Sequence, residues 1–175
     1  MTQTVPKPLV AIVMGSESDL ETLRDAQAVL KQFEIPHTLR VISAHRTPER
    51  ARDFALNADA NGLKVIIAAA GKAAHLAGVL AAMTPLPVIG VPMKTSDLGG
   101  LDSLLSMVQM PGGVPVATVA IGSAGARNAA LMAIRILALS DPEIHAKHKA
   151  FLEKMAADVA AADERLVAAE TAGNA

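Results

Sequence analysis

Apolar runs of strand length recur along the chain, and each is followed by a polar or glycine-bearing turn and then by a helical pattern. Residues 9–14 read LVAIVM, an unbroken apolar stretch of the kind buried on both faces of a parallel sheet. Further strands are predicted over 38–42, 65–70, 87–91 and 116–121. Helices are predicted over 19–33 and 48–61, from the turn at 71–75 to Met83, over 101–110, and from 122–126 to about Leu139. Strands alternating with helices predict an α/β fold: a three-layer α/β/α, flavodoxin-like, doubly wound parallel five-stranded sheet. Neither a repeat nor a linker interrupts the pattern, so a single domain is expected, with 1–8 as an N-terminal tail and 9–139 as the α/β core.

Punctuation refines the boundaries. Ser18 followed by Glu21 has the spacing of a capping box, and Ser140 followed by Glu143 repeats it. Thr47-Pro48 suits an N-cap and first helical turn, while Asn61-Gly62 suits a helix end. His37, just after Ile35-Pro36, reads as a strand-entry residue. After the second box an Ala- and charge-rich helix is predicted to about Glu170, with 171–175 as a frayed tail. Such a helix would be about 40 Å long, more than the core's width. It is expected to pack on a neighbouring subunit, the plainer alternative being that its last turns fray in solvent.

Composition narrows the function classes. With 175 residues and 51% apolar positions, the chain is long enough for one ordinary core, built largely of Ala, Val, Ile, Leu and Met. Three Phe are its only aromatic residues of the Phe, Tyr and Trp set, and its formal charge is −1, so a nucleic-acid partner is not expected. Cysteine is absent, which removes thiolate chemistry and disulfides. No secretory h-region or membrane-length apolar stretch is seen, so a cytoplasmic protein without a membrane partner is expected. Dinucleotide, P-loop and hydrolase-elbow signatures are missing. His145 and His148 share a helix face, but an exposed polar face explains them better than a metal site.

In an open parallel sheet, the loops at the carboxyl ends of the strands share one rim, where ligands bind. That rule gathers Ser16, Ser18, Asp19, Ser43, His45, Arg46, Lys72 and His75 on one side of the sheet. Arg46 and the hydroxyls suit a phosphate, Asp19 a vicinal diol, and His45 the movement of one proton. The pattern thus points to a phosphorylated, sugar-like ligand handled without metal or organic cofactor. For each element the purely structural role, capping or turn formation, remains open at this level.

The segments Met14-Gly-Ser-Glu-Ser-Asp19, Ser43-Ala-His-Arg-Thr-Pro48, Ala70-Gly-Lys-Ala-Ala-His-Leu76, Ser106-Met-Val-Gln-Met-Pro111 and Val116-Ala-Thr-Val-Ala-Ile-Gly122 resemble the class I PurE family. The resemblance runs from about Leu9 to His148. It implies an isomerase of de novo purine biosynthesis, an N5-carboxyaminoimidazole ribonucleotide mutase forming 4-carboxy-5-aminoimidazole ribonucleotide. The implied route is decarboxylation to aminoimidazole ribonucleotide (AIR) plus CO2, then recarboxylation at C4, with no cofactor and no metal. By that resemblance His45 is the catalytic proton carrier. Asp19 takes the ribose hydroxyls, and Arg46 with Ser18 and Ser43 takes the 5′-phosphate. Ser16 also matches a substrate-binding position, and Gly71, Lys72, Ala73, His75 and Leu76 belong to the loop around the base and CO2. A homo-octamer is implied as well.

Two positions depart from the family's usual A-G-G-A-A-H-L-P-G. Lys72 stands at the second Gly and Ala77 at the Pro. A Gly there would allow a positive φ or close backbone approach. Lys72 could clash with the ligand, place an ammonium beside the migrating carboxylate, or turn outward. Ala77 mainly adds freedom to the unfolded chain. The competing readings are direct carboxylation of AIR by CO2, a family member impaired by Lys72, and a non-catalytic module binding a phosphorylated metabolite.

Overall fold

The five strands hydrogen-bond in parallel in the order β2-β1-β3-β4-β5. They are β1 (Val10–Met14), β2 (His37–Val41), β3 (Val65–Ala70), β4 (Val88–Pro92) and β5 (Ala117–Thr118). A computed structural model describes residues 7–173. The chain divides into two compact units at Ile136/Leu137. Residues 1–6 of the tail expected at 1–8, and residues 174–175 of the tail expected at 171–175, lie outside the described residues.

Within the first unit the central strands are buried on both faces because every position is apolar or small. Ala11, Val13, Ile66, Ala68 and Val88 pack in one cluster with Ala51 and Ala55 of α2 (Pro48–Asn57), Leu76, Ala77 and Leu80 of α3 (Leu76–Ala81), and Met107 of α4 (Leu101–Val108). The alternate residues Val10, Ile12, Val65, Ile67 and Ile89 are equally buried. So are Leu23, Ala26 and Leu30 of α1 (Leu20–Gln32), and Ala126, Ala129, Ala130 and Ala133 of α5 (Ser123–Ala138). A strand's side chains alternate between faces, so burial at both parities means that helices cover both. Each large aliphatic side chain fully removed from water stabilises by about 1.5–3 kcal/mol. The edge strand β2 is only partly covered.

Several local expectations are corrected. The Ser18–Glu21 capping box does not form: a 3-10 turn over Glu17–Asp19 precedes α1, and Ser16 caps it by accepting from the Ser18 N–H. Thr47 holds the N-cap position of α2, yet its hydroxyl closes the preceding loop instead of bonding the helix. That helix stops at Asn57, short of Asn61. Residues 57–61 read NADAN, in which Asn57, Asp59 and Asn61 are weak helix formers, and the segment tightens into turns that end at Gly62 with φ +91°. The last strand keeps only two ladder residues, although the chain stays beside β4 until the Gly122 N–H donates to the Pro92 carbonyl.

In the second unit, Asp141, not Ser140, caps α6 (Pro142–Gly173): its Oδ1 accepts from the Glu143 and Ile144 N–H groups at 2.9 and 3.1 Å. Ser140 instead lies with its hydroxyl 3.4 Å from the Leu137 carbonyl. At a rise of about 1.5 Å per residue, α6 runs roughly 48 Å, and it continues past Glu170 through the first residues of the expected tail. Ion pairs Lys147–Glu143 and Lys154–Asp158 brace its surface at one-turn spacing. Among the described residues no helix is long and apolar enough to cross a membrane.

Candidate active site

The strand order reverses direction between β1 and β3, and the loops leaving β1, β2, β3 and β4 meet outside their carboxyl ends. A cleft of about 510 Å³ opens there, lined by residues from all four loops. Ladder bonds hold its floor to the sheet: Gly15 N–H donates to Ala69 O, Ile42 N–H to Met14 O, and Met93 N–H to Ala70 O.

The β1 loop contributes Gly15, Ser16, Ser18 and Asp19. Ser18 Oγ lies 2.9 Å from Ser16 Oγ and 3.4 Å from Asp19 Oδ1. Burial pushes the Asp19 carboxyl above the ordinary carboxylate value, and the hydrogen bond from Ser18 partly opposes this. A half-buried carboxylate of that kind gains from any ligand that brings it hydroxyl donors.

The β2 loop is closed by its own side chains. Thr47 Oγ1 accepts from the Ser43 N–H at 3.1 Å and donates to the Ser43 carbonyl at 2.9 Å. Ser43 Oγ accepts from the Arg46 N–H at 3.1 Å and so keeps its own proton to offer a ligand. The Arg46 guanidinium is steadied by one bond, Nη2 to Gly15 O at 2.8 Å, and lines the cleft with its other donors. His45 Nε2 lies 2.9 Å from Nδ1 of His75, the rings edge to face at 88°. That contact needs one nitrogen protonated and the other bare, so the two imidazoles share a proton.

The β3 loop brings Gly71, Lys72, Ala73 and Leu76 to the cleft. His75 is not on the lining itself but reaches His45 from beside it. Lys72 takes φ +58°, the left-handed conformation for which glycine is best suited. Its N–H donates to the fully buried Ser103 hydroxyl at 3.0 Å. Its ammonium neither clashes with the cleft wall nor stands free: Nζ pairs with Asp97 Oδ2 at 2.6 Å. Ala77 is fully buried within α3.

Sequence reasoning placed the loop after β4 on this rim but named no residue in it. Met93, Lys94, Thr95 and Ser96 all line the cleft. The available signal was the long connection from Pro92 to Gly100, more than a turn needs to enter a helix. His37 is not on the cleft lining, and no cluster of metal-ligating side chains occurs among the described residues. The cleft carries Arg46 and Lys94 against Asp19, with Lys72 already paired to Asp97, a balance that favours an anionic ligand.

A family model described as AIR carboxylase matches residues 9–158, nearly the whole described chain. The chain belongs to the AIR carboxylase family. It is 54% identical over 160 residues to the N5-carboxyaminoimidazole ribonucleotide mutase of Pyrococcus horikoshii, covering 91% of this chain and 89% of that protein. The mutase of Mycobacterium tuberculosis strain H37Rv is 54% identical over 166 residues, with 95% and 94% covered. Among solved structures, PurE of Treponema denticola superposes with a TM-score of 0.83 at 32% identity, covering 91% of this chain and 98% of that one. Three of the four loops that build the cleft hold the segments 14–19, 43–48 and 70–76, on which the sequence resemblance was read.

Proposed function

We propose that this chain is an N5-carboxyaminoimidazole ribonucleotide mutase of purine biosynthesis, an isomerase that moves a carboxylate from the exocyclic nitrogen to C4. The reaction balances with a single proton carrier. An acid protonates the carbamate nitrogen as CO2 leaves, giving AIR. C4 then attacks the retained CO2, and the same group, now a base, removes the C4 proton. The carrier ends as it began.

His45 fits that role by position, and His75 holds it. The observation that carries the assignment is an imidazole on the cleft wall hydrogen-bonded to a second imidazole, beside an arginine anchored for an anion. The 2.9 Å contact with His75 fixes the orientation of the His45 ring on the cleft wall. In this reading Arg46, Ser18 and Ser43 grip the 5′-phosphate, and Asp19 with Ser16 takes the ribose. Gly71, Lys72, Ala73 and Leu76 wall the base and the transient CO2. No metal or organic cofactor has a part in the step.

His45→Asn tests the assignment. General acid-base catalysis contributes about 10²- to 10⁴-fold in rate, so kcat should fall by that factor while substrate affinity changes little. Turnover near that of the wild type would leave the proposal without a proton carrier. Assaying AIR with bicarbonate alongside the carbamate substrate separates mutase from direct carboxylase.

The family reading also carries a cytoplasmic homo-octamer. Exposed Leu101, Leu105 and Val108 along one side of α4, and Leu152, Met155 and Val159 along α6, support self-association, since apolar stripes on helices are usually covered. Light scattering of the purified protein reads the subunit number directly.

A further inference from the structure

Lys72 combines features that a place on the cleft wall does not by itself require. Its backbone is left-handed although it is not glycine. Its N–H is fixed by Ser103, and its carbonyl lies 3.2 Å from Ser106 Oγ; both serines belong to α4. Its side chain reaches Asp97, in the loop that runs from β4 into that same helix. The β3 loop, α4 and the β4 loop therefore form a closed ring of contacts, and two sides of the ring are walls of the cleft.

The β4 loop has few other fastenings. Thr95 Oγ1 donates to Asp102 Oδ1 at 2.9 Å and accepts from the Gly100 N–H at 3.1 Å. Gly99 and Gly100, at φ +64° and +101°, end the loop on two left-handed positions that glycine adopts without strain. Beyond Thr95, the Lys72–Asp97 pair is what ties the outer part of the loop to the opposite wall.

We propose that Lys72 and Asp97 are a positioning pair, an ionic latch that holds the β4-loop wall of the cleft in its binding geometry before substrate arrives. The inference rests on the mutase reading for its kinetic consequence, though not for the latch itself. Pre-ordering a wall spares the ligand the cost of ordering it, and this appears in KM, not in the chemical step. The hydrogen bond from Lys72 holds the Asp97 carboxyl below its ordinary value, and Asp97 holds the ammonium above its own, as a standing pair requires. Both side chains are about two-thirds exposed, so the latch is weak and screened by salt.

The test compares the wild type with Lys72→Met, Asp97→Asn and the exchanged pair Lys72→Asp/Asp97→Lys. Methionine keeps the chain length and the left-handed backbone and removes only the charge. Aspartate tolerates that backbone better than most residues. Without substrate, amide exchange across 93–98 should quicken about two- to five-fold in each single variant at low salt and return toward the wild-type rate in the exchanged pair. KM should rise by a similar factor in Asp97→Asn, whose residue is not on the cleft lining, with kcat held within about two-fold. Unchanged exchange in both single variants overturns the latch. A lower KM in Asp97→Asn overturns it differently, by showing an ammonium that Asp97 withholds from substrate. If the wild type itself fails to turn over the carbamate, the functional reading falls while the exchange comparison still decides the latch.

Discussion

Ser103→Ala removes the support beneath the β3 loop and isolates one interaction. Ser103 is fully buried, and its Oγ is the acceptor for the Lys72 N–H at 3.0 Å. Alanine leaves that N–H without its acceptor, and an orphaned donor costs about 1–3 kcal/mol. The amide is only partly buried, so water recovers some of the loss and the expectation narrows to about 1–2 kcal/mol. The left-handed backbone of residue 72, which costs a non-glycine residue about 1–2 kcal/mol, is common to wild type and variant and cancels from the difference. For a protein of this size, about 1 kcal/mol moves Tm by roughly 2–4 °C, so a fall of roughly 2–8 °C is expected. The assay is thermal and urea unfolding at one fixed protein concentration, since association also raises apparent stability. Ser106→Ala serves as the control: its Oγ lies closer to the Asp102 carbonyl, 2.7 Å, than to that of Lys72, so its loss should matter less. A Ser103→Ala protein within about 0.5 kcal/mol of the wild type would refute the view that this hydroxyl holds the loop.

Asp19→Asn should stabilise the folded protein at neutral pH. Burial raises the folded-state pKa of Asp19, so its ionised form weakens the fold; the stability is full below the unfolded carboxylate value and lost as pH rises through the folded value. The advantage of Asn should therefore be largest above the folded pKa and vanish below the unfolded one, as urea midpoints across an acid-to-neutral series will read. An equal gain at every pH would remove the electrostatic cause. Gly100→Ala should destabilise by more than about 1 kcal/mol: the residue sits at φ +101°, and its Cβ would lie 2.7 Å from Ile121 Cγ2 and 3.0 Å from the Met93 carbonyl oxygen. An unaltered unfolding midpoint would mean that the β4 loop relaxes around the added methyl at no cost.

The residues in order determined the sheet and its rim. Unbroken runs such as VAIVM and VIIAAA exclude a solvated strand face, and their alternation with helices permits little besides a parallel sheet with ligand loops at its carboxyl end. The sequence also placed the motif loops around that rim, because every loop after a parallel strand emerges on the same side. Helix starts were less legible: Asp141 takes the backbone donors that Ser140 was expected to cap, Thr47 turns its hydroxyl to Ser43, and Ser16 caps a short turn that runs through Ser18, outcomes set by loop geometry a few ångströms away.

Only the tertiary structure decided which rim residues touch. His45 and His75 lie thirty positions apart and meet because β1 separates β2 from β3 in the sheet and the loops of the outer two lean across it. Lys72 faced three possible directions, and a carboxylate twenty-five residues later, beyond another strand, selected one. Periodicity and capping are local and can be read along the chain. Contacts between loops depend on strand order and on backbone angles such as the φ of Lys72, which the residues determine only jointly, once the sheet has assembled.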